Sequence, residues 1–222
     1  MKTALVIGAS RGIGSEFVQQ LLADGWKVFA TARDDEGLAH LRTVGAEPIK
    51  LDVAKTASLA ELAWQLDDVK LDLAVYVAGV FGSNAHADTA PTVADFDKVM
   101  HTNVRGAMQL IPTVAPMVEA AHGRFIFISS GMGSIGETTS SGGWTYRVSK
   151  AALNMAVKAA SFDYPKAIMV AMCPGWVRTA MGGANATLSP QESVQGMLRV
   201  IDSLKPADTG TYRNHSGKHL PW

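Results

Sequence analysis

A single cysteine, Cys173, stands among 222 residues. That excludes an internal disulfide framework and fits a reducing compartment, so a cytoplasmic protein is expected. An excess of either charge is also missing: twenty Lys and Arg balance twenty Asp and Glu. Nothing in that balance draws the chain to nucleic acid or to an anionic membrane. No apolar run approaches the roughly 20 residues of a membrane span. The opening MKTALVIGAS has a lysine before apolar residues, as a signal peptide does, but it flows directly into a glycine-rich turn carrying Arg11 and reads as a buried strand. Metal-ligand spacing is absent among the histidines at 40, 86, 101, 122, 215 and 219. His215 and His219 lie in NHSGKH, whose glycine marks a turn, so no metal site is expected.

What the chain does have is apolar residues, 47% of the total, ample for one domain covering 1–222. Strands are expected at 3–8, 27–31, 47–53, 71–79, 124–130 and 167–175. Their apolar runs are nearly continuous, as in parallel strands covered on both faces. Helical periodicity fills 13–24, 35–44, 56–66, 93–121, 145–162 and 190–203. This rhythm implies an α/β fold, a doubly wound parallel sheet with helices on both faces and right-handed crossovers. Two loop-rich regions, 80–92 and 180–190, follow strands and so fall at the carboxyl edge, where ligands bind in such folds.

VIGASRGIGSEF places Gly8, Gly12 and Gly14 between the first strand and the first helix. Glycines let backbone approach a pyrophosphate, and the helix start offers free N–H groups and a positive dipole. TYRVSK sets Tyr146 and Lys150 four positions apart, on one face of a helix. A nearby ammonium favours the phenolate and should lower the tyrosine pKa from about 10, so the pair is either a tuned acid–base or an ordinary helix surface.

GASRGIG, an AG after the fourth strand, TNVRG, ISS, YRVSK and PGWVRT occur in that order over nearly the whole chain. In this the sequence resembles the short-chain dehydrogenases/reductases, with their Rossmann-type sheet. GSIGETTSSGGWTYRVSKAALNM and the LPW at 220–222 are most similar to the C-factor-like branch, largely NADPH-dependent carbonyl reductases. The resemblance implies hydride transfer between NADP(H) and a small carbonyl or alcohol, with Tyr146 as acid–base. It makes Lys150 a donor to the nicotinamide ribose hydroxyls, Ser130 the polariser of the substrate oxygen, and Asn103 the holder of a water in a proton relay. Ser129 and Ser134 remain alternatives to Ser130, because the interval to Tyr146 is longer than usual.

The same resemblance assigns Gly8, Ser10, Arg11, Gly12, Ile13 and Gly14 to the cofactor turn. It assigns Asp52 and Val53 to the adenine edge, and Ala78 and Gly79 to a close approach. Pro174, Gly175, Val177 and Thr179 fall at the nicotinamide end. At the end of the second strand Ala32 occupies the place of the acidic residue in NAD enzymes, followed by Arg33. Arg11 and Arg33 therefore suit a 2′-phosphate, with Asp34 and Asp35 starting the next helix. NNAG is replaced by Tyr76-Val77-Ala78-Gly79, so the contacts of those asparagines must come from elsewhere. A competing function is an NADP(H)-binding sensor or signalling protein with little turnover. Cys173 reads as a packed thiol, and Trp144 and Trp176 flank the site. Segments 105–121 and 145–162 carry few charges, which points to a homodimer or homotetramer through those helices.

Overall fold

Apolar runs that can be covered on both sides pair in parallel, and such runs form the middle of a seven-stranded parallel sheet here. The computed structural model describes residues 1–222. Its strands are β1 (Thr3–Ile7), β2 (Lys27–Ala32), β3 (Glu47–Lys50), β4 (Leu73–Tyr76), β5 (Arg124–Ile128), β6 (Ile168–Cys173) and β7 (Thr211–Asn214), in the order β3-β2-β1-β4-β5-β6-β7. Winding reverses between β1 and β4, which opens a crevice at their carboxyl ends. Alternate residues of each strand face opposite layers. Leu5 and Ile7 join a core with Leu62, Leu110 and Leu153, whereas Ala4 and Val6 join one with Phe17, Leu41 and Met197.

The covering helices are α1 (Gly12–Ala23), α2 (Asp35–Thr43), α3 (Ala57–Gln65), α4 (Val93–Met100), α5 (Gly106–Glu119), α6 (Trp144–Ala160) and α7 (Pro190–Ser203). Local chemistry starts several of them. Asp34 accepts the Gly37 N–H at 2.8 Å, and Ser189 and Glu192 form a reciprocal capping box ahead of α7. Helix α1 has no side-chain cap at Arg11, so its first N–H groups stay free.

Three features depart from the sequence reading. The strands stop short of their expected ends at 53, 79, 130 and 175, and the residues left over turn out of the sheet into the crevice. The single helix expected over 93–121 is broken by a π-helical turn, His101–Arg105. Periodicity alone does not register that one wide turn. It swings Asn103 fully inward, and the Tyr76 hydroxyl donates to the Thr102 carbonyl at 2.6 Å. That contact ties β4 to the turn where the family's first asparagine is missing. Gly106 permits it, since a Cβ there would sit 2.7 Å from the Tyr76 oxygen. Finally, β7 is a seventh strand built from the polar sequence TYRN, which carries no apolar run to announce it. Beyond it the chain reverses at Gly217 (φ +90°) and returns alongside, with the Leu220 N–H donating to the Tyr212 carbonyl at 2.9 Å. The return covers the sheet edge.

Helices α5 and α6 bury one face each and leave Met108, Val148 and Met155 exposed, as is Phe162 just beyond α6. Pro112 and Pro116 lie on the same exposed side of α5, where a lost helical bond costs least.

Candidate active site

The turn from β1 into α1 is set by contacts only glycine can make. Gly8 has φ +88°, and a Cβ there would lie 2.8 Å from the Ala78 backbone; at Gly14 it would lie 2.2 Å from the Gly8 carbonyl oxygen. Thr31, inside β2, accepts the Gly8 N–H on its hydroxyl at 3.0 Å. The uncapped start of α1 then presents N–H groups and a positive dipole to the crevice, the arrangement an anion needs.

A cleft of about 500 Å³ runs from this turn along the carboxyl ends of the strands. Ser10, Arg11, Gly12 and Ile13 form its floor. Ala32 and Arg33 stand at one end, with Asp52 and Val53 beside them. Ala78 and Gly79 cross the middle, and Pro174, Gly175, Val177 and Thr179 close the far side. Asp34 and Asp35 lie outside, Asp34 occupied as the α2 cap and Asp35 paired with Lys50 at 2.8 Å.

Ser130, Tyr146 and Lys150 meet at the inner end. Lys150 is 3% exposed and donates from Nζ to the Ile128 carbonyl at 2.8 Å. Burial holds its pKa down to about 8. Tyr146 is likewise buried, with Phe81 packed against its ring at 4.8 Å between centroids. Burial pushes the phenol up to about 12, and the neighbouring Ser130 hydroxyl opposes that only in part. The expected lowering by Lys150 does not occur here. Its Nζ sits 5.6 Å from the ring centroid, and loss of water outweighs the attraction. Tyr146 is therefore protonated throughout the neutral range.

The three serines are employed differently. Ser129 donates to Asn154 Oδ1 at 2.6 Å, and Ser134 donates to the Pro221 carbonyl at 2.7 Å. Ser130 Oγ accepts the Met132 N–H at 3.2 Å, which leaves its own proton to give. Beneath this loop Cys173 accepts the Gly131 N–H at 3.0 Å, a packed thiol whose pKa burial raises.

Two expected residues do not line the cleft. Gly14 lets the first turn of α1 pack against the Gly8 carbonyl. The Asn103 amide is consumed by Val80, with which it exchanges two bonds at 2.8 and 2.9 Å, and by Ser149 at 2.9 Å. Both its N–H groups are spent, and through these bonds Asn103 clamps the loop after β4. At the open end Phe81, Met132, Trp176 and Met181 make an uncharged wall. Trp176 is fixed by donation from its indole to Gly182 at 2.8 Å, whereas Trp144 stands outside. Phe81 and Met181 fall in the two carboxyl-edge loops that the sequence marked; Met132 carried no signal.

A doubly wound sheet with this glycine turn and this Ser–Tyr–Lys cluster defines a dinucleotide-dependent oxidoreductase. The chain belongs to the short chain dehydrogenase family, whose model matches residues 2–188. It is 41% identical over 132 residues to the C-signal of Myxococcus xanthus, covering 58% of this chain and 80% of that protein. It is 30% identical over 233 residues to 1-hydroxy-2-glutathionyl-2-methyl-3-butene dehydrogenase of Rhodococcus sp. (strain AD45), over 100% of both. Among solved structures it is similar to the NADPH-bound carbonyl reductase from chicken fatty liver, with TM-score 0.90, 32% identity and coverage of 100% and 99%.

The buried ammonium makes stability depend on pH. Lys150 titrates near 8 when folded and near 10.5 when unfolded. Between those values the unfolded chain binds the extra proton, so stability rises with pH. Relative to Lys150→Met, the wild-type protein should gain about 3 kcal/mol between pH 8 and 10.5, and nothing below pH 7. Urea titrations of both proteins check this; parallel stability curves would contradict it.

Proposed function

We propose that the protein reduces the carbonyl of a small uncharged aldehyde or ketone with NADPH. The observation that carries this is Tyr146, a buried phenol protonated at neutral pH that lines, together with Ser130 and Lys150, a cleft shared with the glycine turn. The glycine turn and the free N–H groups of α1 would hold the pyrophosphate. Lys150, with two of its three donors unassigned, would hold the ribose hydroxyls; Asp52 and Val53 would meet the adenine, and Thr179 the carboxamide. NADPH supplies the hydride when bound. Ser130 donates to the carbonyl oxygen and polarises it, and Tyr146 delivers a proton to that oxygen as negative charge develops. The apolar wall of Phe81, Met132, Trp176 and Met181 favours substrates without charge near the reacting carbon.

The likeness to C-signal supports a second reading, a cofactor-binding signalling protein with little turnover. Binding alone does not require the Tyr146 hydroxyl, so the two readings separate at that residue. An NADPH-oxidation screen across aldehydes, ketones, diketones and quinones should find turnover. Tyr146→Phe should cut kcat at least about 100-fold and leave NADPH affinity near normal. Most of the kcat surviving in that variant sinks the acid–base assignment.

Cofactor choice rests on Arg11 and Arg33 with no carboxylate between them. Each charge-assisted contact to a 2′-phosphate contributes roughly 1.5–3 kcal/mol, so NADPH should be preferred over NADH by two decades or more. Ala32→Asp with Arg33→Ala should shift the preference toward NADH. Equal kcat/KM for both cofactors in the unaltered protein would end this proposal.

The exposed Met108, Val148 and Met155 on α5 and α6, with Phe162 just beyond α6, favour a homodimer or homotetramer through those helices; a cytoplasmic location is proposed from the single cysteine. Light scattering at micromolar concentration should give a multiple of 23.5 kDa; the monomer mass rejects it.

A further inference from the structure

The Ser130 loop is held from beneath by residues that do not line the cleft. The Tyr212 hydroxyl donates to the Ser130 carbonyl. The Tyr212 ring is buried, and the Trp222 indole stacks on it, with centroids 5.5 Å apart and planes 21° from parallel. The hairpin after β7 delivers Trp222 to that position. Two further bonds join this returning segment to the loop: Ser134 Oγ donates to the Pro221 carbonyl at 2.7 Å, and the Gly136 N–H donates to the Trp222 carbonyl at 2.9 Å. Gly136 is fitted closely enough that a Cβ would lie 3.2 Å from Pro221.

The loop needs such support because it has little preference of its own. Gly131, Gly133 and Gly136 fall within six residues, and glycine populates many backbone conformations. Inside the loop, Ser130 Oγ is fixed only to the neighbouring Met132 N–H, so the hydroxyl goes where the backbone goes. A displacement of about 1 Å at a reacting group can cost about 100-fold in rate.

We infer that Tyr212–Trp222 is a latch that sets the Ser130 hydroxyl against Tyr146, with Tyr212 and Trp222 as positioning residues. The inference rests on the reading of Ser130 as the group that polarises the carbonyl. Tyr212→Phe removes the bond to the Ser130 carbonyl and keeps the ring. Trp222→Ala removes the stack from a side chain that is 43% exposed, at little risk to folding.

The test is a double-mutant cycle with NADPH and the fastest-reduced carbonyl of the screen. Tyr212→Phe and Trp222→Ala should each lower kcat about three- to tenfold, with the NADPH Kd unchanged within about twofold. Trp222→Phe, which keeps an aromatic face on Tyr212, should recover most of the loss. In a Ser130→Ala background neither change should have further effect, because the hydroxyl they position is gone. The same fold-loss in both backgrounds, or no loss in the wild-type background, overturns the latch while leaving the reduction reading intact. A Ser130→Ala enzyme with full kcat overturns the role of Ser130, and the latch with it. Should Tyr212→Phe not fold, the Trp222 pair decides the outcome alone.

Discussion

An ammonium taken out of water must be met by acceptors or be given up, and the packing of the site follows from how Lys150 is accommodated. The Ile128 carbonyl, where β5 leaves the sheet, accepts one of its protons. To bring α6 that near, the backbone around Lys150 must be thin. A Cβ at Gly133 would sit 2.8 Å from the Lys150 Cβ, and one at Gly79 would sit 3.5 Å from Nζ and 3.3 Å from Asn103 Oδ1. The π turn carries Asn103 to this point, and Asn103 in turn grips Val80. The ends of β4 and β5, one face of α6 and the wide turn before α5 are thus fitted around a single charge.

Legibility in the sequence followed the range of the interactions. Six strands and the glycine turn were readable because burial on both faces and close backbone approach leave marks in neighbouring residues. Tyr146 and Lys150 could be placed on one face for the same reason, since four residues separate them. The π turn was not readable: it shifts a hydrogen bond without altering which residues are apolar. Asn103 was marked only by the family resemblance, not by any pattern in its neighbours. Strand β7 was hidden by being a short polar edge. The contacts of Tyr212 and Pro221 with the Ser130 loop span more than eighty residues, so no local pattern encodes them. The sign of the Tyr146 shift was misjudged for a related reason. Spacing identifies a charged neighbour, but the desolvation imposed by Phe81 and the surrounding fold exists only once the chain is packed.

The two pKa shifts give complementary chemistry. Burial acts in opposite directions on an acid and on a base, raising the phenol and lowering the ammonium. At neutral pH the phenol keeps its proton and Lys150 is still mostly charged, a state suited to giving a proton to a carbonyl oxygen. On the proposed acid–base role of Tyr146, the reverse reaction needs the phenolate, so oxidation of an alcohol would be favoured by more alkaline conditions.

This arrangement also bears on catalysis against simple cofactor binding. A phenylalanine at 146 would fill the same space against Phe81 without a hydroxyl to satisfy. The hydroxyl there stands beside Ser130, whose own backbone is held by Tyr212 and whose loop is held by Pro221 and Trp222. Each added polar group is costly to bury unless the next one meets it. A protein that only bound a dinucleotide would have no use for that succession. Where the last hydroxyl faces an apolar mouth and keeps a proton to give, the succession has an outlet in proton transfer, and stability forgone at such a site is the usual accompaniment of activity.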